Sequence, residues 1–167
     1  MKRKEKPLTF KWNKKFIYPK SVRSLVNDAR HYSVGDEKLP SVTTILSATQ
    51  SSEKRESLAR WQAKVGKNEA ERVKNVAGKR GTAMHQYLEY MVAEKNLLDL
   101  TEEGVEAQRM AEVVRDKGFN DLEEIWGSEV VLSYPGLYAG QTDLCGIYQG
   151  RESIIDFKQS NKPKREE

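Results

Sequence analysis

Two short apolar runs in this chain end in charged residues that could act together. One leads through Gly140-Gln141-Thr142-Asp143, and the other is Ser153-Ile154-Ile155-Asp156-Phe157-Lys158. Asp156 and Lys158 are two apart, so on a strand they face one way while Phe157 faces the other. A carboxylate after Ser-Ile-Ile is costly in an apolar setting unless it is paired or binds a metal. Lys158 as its partner makes a plain ion pair. With Asp143 nearby, the same groups could hold a divalent cation, which takes oxygen ligands and keeps several waters. Such an ion activates water and polarises a phosphoryl oxygen, and a fixed lysine steadies the charge that develops there.

A further pair lies upstream. His85 and Glu89 are four apart beside a stripe of Met84, Leu88, Met91 and Val92, so both fall on one helix face. His85 there is either a hydrogen-bonded helix residue or a ligand aimed into a cleft. Asp143 follows Gly140, which permits a bend or a close backbone approach. A phosphate-binding loop is excluded at Gly78-Lys79, since Arg80 stands where Ser or Thr is required and the upstream glycine is missing.

The elements that must position these residues follow from periodicity. Arg30–Val34 and Leu39–Leu46 flank a polar turn at Gly35-Asp36-Glu37-Lys38, which predicts a hairpin or a strand entering a short helix. Leu58, Trp61 and Val65 predict a helix ended by Gly66. A second helix runs through Ala70, Val73, Val76 and Ala77 to Gly78, and a third is capped by Thr82 after Gly81. A fourth spans about Thr101 to Lys117, with Val105, Met110, Val113 and Val114 as its apolar residues. Strands then begin at Glu129, at Leu137 leading through Asp143 to Tyr148, and at Ser153, the last one carrying Asp156, Phe157 and Lys158. The fold class is α+β, with helices followed by a small, mainly antiparallel sheet.

Composition narrows the setting. The chain has 167 residues, one cysteine (Cys145) and a net charge of +4. A lone cysteine excludes an internal disulfide and an all-cysteine metal site within one chain, and it suits a reducing compartment. No apolar run approaches a membrane span or a signal peptide. Residues 1–20 hold eight cations and one acid. This basic arm, with Trp12, Phe16 and Tyr18 interleaved, either lies along nucleic acid, with Lys14 and Lys15 on phosphates, or docks on the fold through its aromatics.

Taken in order, these motifs resemble a known family. Gly140-Gln141-Thr142-Asp143 followed by Ile154-Ile155-Asp156-Phe157-Lys158 resembles the PD-(D/E)xK nuclease signature. Gly81-Thr82-Ala83-Met84-His85 with Glu89 is similar to the histidine motif of the RecB-type exonuclease branch. Leu39–Leu46 with Trp61 and Gly66 resembles the front of the mitochondrial genome maintenance exonucleases and their phage and bacterial relatives. The resemblance covers about Arg30 to Lys164.

It implies a restriction-endonuclease-like core over residues 29–167, preceded by the arm at 1–28. It implies that His85, Asp143, Asp156 and the carbonyl of Phe157 hold Mg²⁺ or Mn²⁺, that Lys158 is the catalytic lysine, and that Glu129 assists. DNA is the implied substrate, with Lys79 and Arg80 beside Lys14 and Lys15 as its contacts. The activity implied is exonucleolytic, on DNA ends and commonly on single strands, in repair, recombination or phage DNA processing. The implied setting is the cytoplasm of a bacterium or phage-infected cell, ahead of a mitochondrial matrix. Relatives follow the Asp-x-Lys strand with a helix bearing Gln-x-x-x-Tyr, whereas only nine residues follow Lys158 here. The expectation is therefore a minimal nuclease, or a nuclease-fold binding subunit completed by a second polypeptide.

Overall fold

The computed structural model of the protein describes residues 9–160. They fold as mixed α and β structure in two compact units. One unit comprises Ile17–Arg80 and Glu129–Thr142; the other comprises Gly81–Ser128, residues from Asp143 onward and the arm up to Phe16.

The first unit opens with an antiparallel meander of β1 (Ser21–Val26), β2 (Ala29–Val34) and β3 (Glu37–Pro40). Asn27 and Asp28 both take positive φ, 49° and 61°, which closes a two-residue hairpin whose twist matches its strands. Strand β1 thus lies inside the stretch assigned to the arm by sequence. Tyr32, Leu39 and Ala139 are buried together, with Val34 and Val131 against them. Helix α1 (Val42–Ala48) starts at Ser41, whose Oγ accepts from the Thr44 amide at 3.0 Å. Gly140 is glycine for a packing reason, because a Cβ there would stand 3.0 Å from Cγ2 of Val42.

Helix α2 (Ser52–Val65) is capped by Ser51 and stopped by Gly66 at φ 85°. The next helix corrects the sequence reading. A single helix α3 (Lys67–Val92) runs through Gly78 and Gly81, so Thr82 is no N-cap. Each glycine costs about 1 kcal/mol in a helix interior. That cost is outweighed downstream, where Met84, Tyr87, Leu88 and Val92 are all buried, each worth about 1.5–3 kcal/mol when fully covered. Gly81 also has a reason to be small: a Cβ there would lie 2.8 Å from Nε2 of Gln159.

In the second unit the C-terminal half of α3 packs with helix α4 (Glu102–Lys117), capped by Thr101, whose Oγ1 accepts from the Gly104 amide at 3.1 Å. The buried face of α4 is Gly104, Ala107 and Ala111, with Met110 and Val114 beside them. Of the apolar residues read from the sequence, Val105 and Val113 point to solvent. Small residues let the helix approach closely, so size rather than hydropathy marks its inner face. A short 3₁₀ turn, Phe119–Asp121, leads into β4 (Leu122–Tyr134), β5 (Tyr138–Tyr148) and β6 (Arg151–Ile155), hydrogen-bonded in that order.

Strand β4 begins seven residues earlier than Glu129, and β6 ends at Ile155, so Asp156, Phe157 and Lys158 lie just past the paired strand instead of within it. Gly146 admits no side chain, since a Cβ would sit 1.9 Å from the Glu124 carbonyl. Ile125 and Leu144 fill the core on this sheet. Among the described residues no helix is long and apolar enough to cross a membrane.

Candidate functional site

Strand β5 presents Asp143 at its entry into the second unit, where the residue is only 9% exposed. The β5–β6 register pairs Leu144 with Ile155, which carries Asp143 and Asp156 to adjacent positions at the end of the ladder. Here the backbone ladder stops and a side chain replaces it. Oδ2 of Asp143 accepts the Phe157 amide at 2.5 Å, while Oδ1 contacts Nδ1 of His85, on α3, at 3.0 Å. An ionised carboxylate only accepts, so Nδ1 of His85 carries the proton in this contact. Burial pushes the Asp143 carboxyl up. The bonds from His85 and the Phe157 amide, with the charges of His85 and Lys158, outweigh it and hold the group below the usual aspartate value.

Beyond β6 the in–out alternation continues. Asp156 and Lys158 are exposed, and Phe157 turns inward, its ring 6.0 Å from that of Phe119 and 6.3 Å from that of His85. The shared face expected for Asp156 and Lys158 is therefore kept without a strand partner. Nζ of Lys158 forms an ion pair with the Asp156 carboxylate and lies 3.5 Å from the Phe157 carbonyl oxygen. Asp156 joins no trio of His, Cys, Asp or Glu side chains with ligand atoms within 4.8 Å of one another among the described residues. His85, Asp143, Phe157 and Lys158 are thus brought together, with Asp156 held by the lysine.

Glu129 belongs to the other unit. It stands in β4 at a positive φ of 55°, and its Oε2 accepts from Nε2 of Gln141 at 2.6 Å. A non-glycine residue at positive φ inside a strand marks a local distortion of the kind that re-aims side chains. Glu89 is exposed on α3. Lys79 and Arg80 close the first unit's share of α3.

The described part of the arm is docked through its aromatics. Phe10 packs edge-on to Phe119 at 5.4 Å, Nε1 of Trp12 donates to the Val92 carbonyl at 3.2 Å, and Phe16 meets Trp126 at 5.3 Å. Lys15 pairs with Glu152 at 3.0 Å and sits 4.1 Å over the Trp126 ring, whereas Lys14 is exposed. Glu124 gathers Lys11, Trp126 and Asn13, which pull its carboxyl down to about 2. The cations of residues 2–6 lie outside the described residues.

Sequence reasoning overlooked Glu124, Trp126 and Gln159. The close approach of Gln159 to Gly81 was signalled only by a glycine inside a helical pattern. The chain matches no protein-family model and no curated protein.

Proposed function

We propose that this protein is a metal-dependent deoxyribonuclease of the PD-(D/E)xK type, with a restriction-endonuclease-like core, that hydrolyses phosphodiester bonds from DNA ends in repair, recombination or phage DNA processing. One observation carries the reading: a largely buried, ionised Asp143 is held between His85 and the Phe157 amide, beside Lys158. A charge in such a place needs a purpose, and depressed carboxylates beside a cation are typical of working sites.

The residues fit Mg²⁺ or Mn²⁺. An anionic carboxylate, a backbone carbonyl and an imidazole nitrogen are donors that these ions accept. Asp143, the Phe157 carbonyl, His85 and Asp156 would hold the ion. What it supplies when bound is charge neutralisation at the scissile phosphate and acidification of a water. Asp143 fixes the imidazole, and through the Phe157 amide it fixes the segment that bears Lys158. Lys158 places its ammonium where negative charge grows on the phosphoryl oxygens, and Asp156 aims it. Glu129 enters through the resemblance.

A nuclease-fold binding subunit that cuts only with a partner polypeptide is the second reading, favoured by the ion pair that occupies both Asp156 and Lys158. The deciding experiment compares wild type, Asp156→Ala and Lys158→Ala on end-labelled single-stranded DNA with Mg²⁺ or Mn²⁺. Wild type releases nucleotides, and Lys158→Ala is slower by about 10²–10³ while still binding DNA. Equal cleavage by all three sinks the assignment. Intact DNA with wild type, cut once a neighbouring polypeptide is added, selects the subunit.

A further inference from the structure

Residues 51–80, all within the first unit, hold nine Lys and Arg against four Glu, a net +5 where the whole chain carries +4. Little of this charge is neutralised internally. Arg60 lies 3.7 Å from Glu56, and Arg72 grips Glu69 through two bonds of 2.7 and 2.8 Å. Lys54, Lys64, Lys67, Lys74 and Lys79 take part in no ion pair among the described residues.

The helix at the front of this stretch is also unsupported. Helix α2 has 14 residues and none is buried. Isolated helices of about 12–15 residues are marginal in water, and most helical stability in proteins comes from packing. Leu58 is 50% exposed and Trp61 37%. Lys54, Leu58, Trp61 and Val65 recur at four, three and four residues, so a cation, an indole and two aliphatic side chains share one stripe. Lys64 follows Trp61 by three positions on the adjoining side.

The charge selects the occupant. The centre of a protein interface is depleted of lysines, whereas an unpaired strand of nucleic acid offers both a phosphate line for the lysines and base faces for an aromatic platform. A duplex offers no unstacked face to Trp61.

We propose that α2 and the adjoining first half of α3 form a tracking surface for single-stranded nucleic acid, with Trp61 as its stacking platform and Lys54, Lys64 and Lys67 on phosphates. The surface stands independently of the nuclease reading, because binding is measured with EDTA present and no cleavage is required.

The test is fluorescence anisotropy of a labelled oligothymidylate with the full chain over a range of salt. Replacing Lys54, Lys64 and Lys67 together by Gln lowers the slope of log affinity against log salt by about 2, at roughly 0.7 per single-strand phosphate contact. Trp61→Ala weakens binding by about 5- to 150-fold with the slope unchanged. Trp61→Phe, which keeps a ring, retains most of the affinity and controls for loss of the helix. Unchanged affinity and slope in the charge variant, or unchanged affinity in Trp61→Ala, overturns the proposal. So does a Trp61→Ala variant that binds normally but loses a dimer seen for wild type by sedimentation, since a second copy would then own the stripe.

Discussion

Replacing Asp143 by Asn tests whether its carboxylate is the joint of the site. The wild-type group accepts from Nδ1 of His85 at 3.0 Å and from the Phe157 amide at 2.5 Å, with its side chain 11% exposed. Hydrogen bonds to a charged partner contribute about 1.5–3 kcal/mol each. Asn is nearly isosteric and keeps one oxygen, so one acceptor survives as a neutral bond and the NH₂ faces a donor. The expected loss is about 1.5–3 kcal/mol, or roughly 3–12 °C in melting temperature for a chain of this size.

Urea unfolding followed by circular dichroism reads it directly. The pH dependence has a definite sign. The folded-state pKa is depressed below 3.8, so the ionised group stabilises the fold fully well above that pH and ceases to do so as pH falls through the folded value. The gap between wild type and Asp143→Asn is therefore wide at neutral pH and closes as the solution is acidified below 3.8. A gap of zero at pH 7, or one that widens in acid, refutes the account. Double-mutant coupling with His85→Ala of about 0.5–3 kcal/mol supports the pairing, and additivity denies it.

Two further outcomes follow. Mn²⁺ added to metal-free protein raises the melting temperature, since an ion binding only the native state at about 100 times its Kd adds roughly 2.7 kcal/mol. Asp143→Asn abolishes that rise, and a rise that persists moves the site elsewhere. Gly146→Ala forces a Cβ to within 1.9 Å of the Glu124 carbonyl, a backbone atom that cannot swing aside. It is expected to cost more than about 3 kcal/mol, and a fully folded variant of wild-type stability contradicts the close approach of β4 and β5.

Much of the helical punctuation was legible because it is local. Gly66 ends α2 and Thr101 opens α4, as their places in the pattern predict. Gly78 and Gly81 misled because two glycines in four residues read as a break, whereas tertiary burial of Met84, Leu88 and Val92 carries α3 through them. The start of β4 was hidden by Glu123 and Glu124, which are satisfied by partners distant in sequence: the Gly150 amide for one, and Lys11 and Asn13 for the other. The docked arm was one of two open readings, and no periodicity could choose between them. His85 and Asp143 are 58 residues apart, so their contact is a product of the fold and not of any spacing. Resemblance put them in one set; geometry shows how they meet.

The Asp156–Lys158 ion pair is the observation that most invites a purely structural account, and its magnitude argues against giving it that weight. Both side chains are just over half exposed, 54% and 55%, and exposed pairs contribute about 0–1 kcal/mol. Opening such a pair for a phosphate or a cation therefore costs less than one ordinary contact with either. The Asp143 contacts differ in kind, since breaking them leaves a largely buried carboxylate and the Phe157 amide without partners. A ligand would thus approach a site with one rigid acid and one adjustable acid–lysine pair. The free lone pairs of Asp143 remain available, because each carboxylate oxygen accepts only one of the two bonds it can take. On the proposed reading, rigidity at Asp143 would set position, and low cost at Asp156–Lys158 would let charge be redistributed when a substrate arrives.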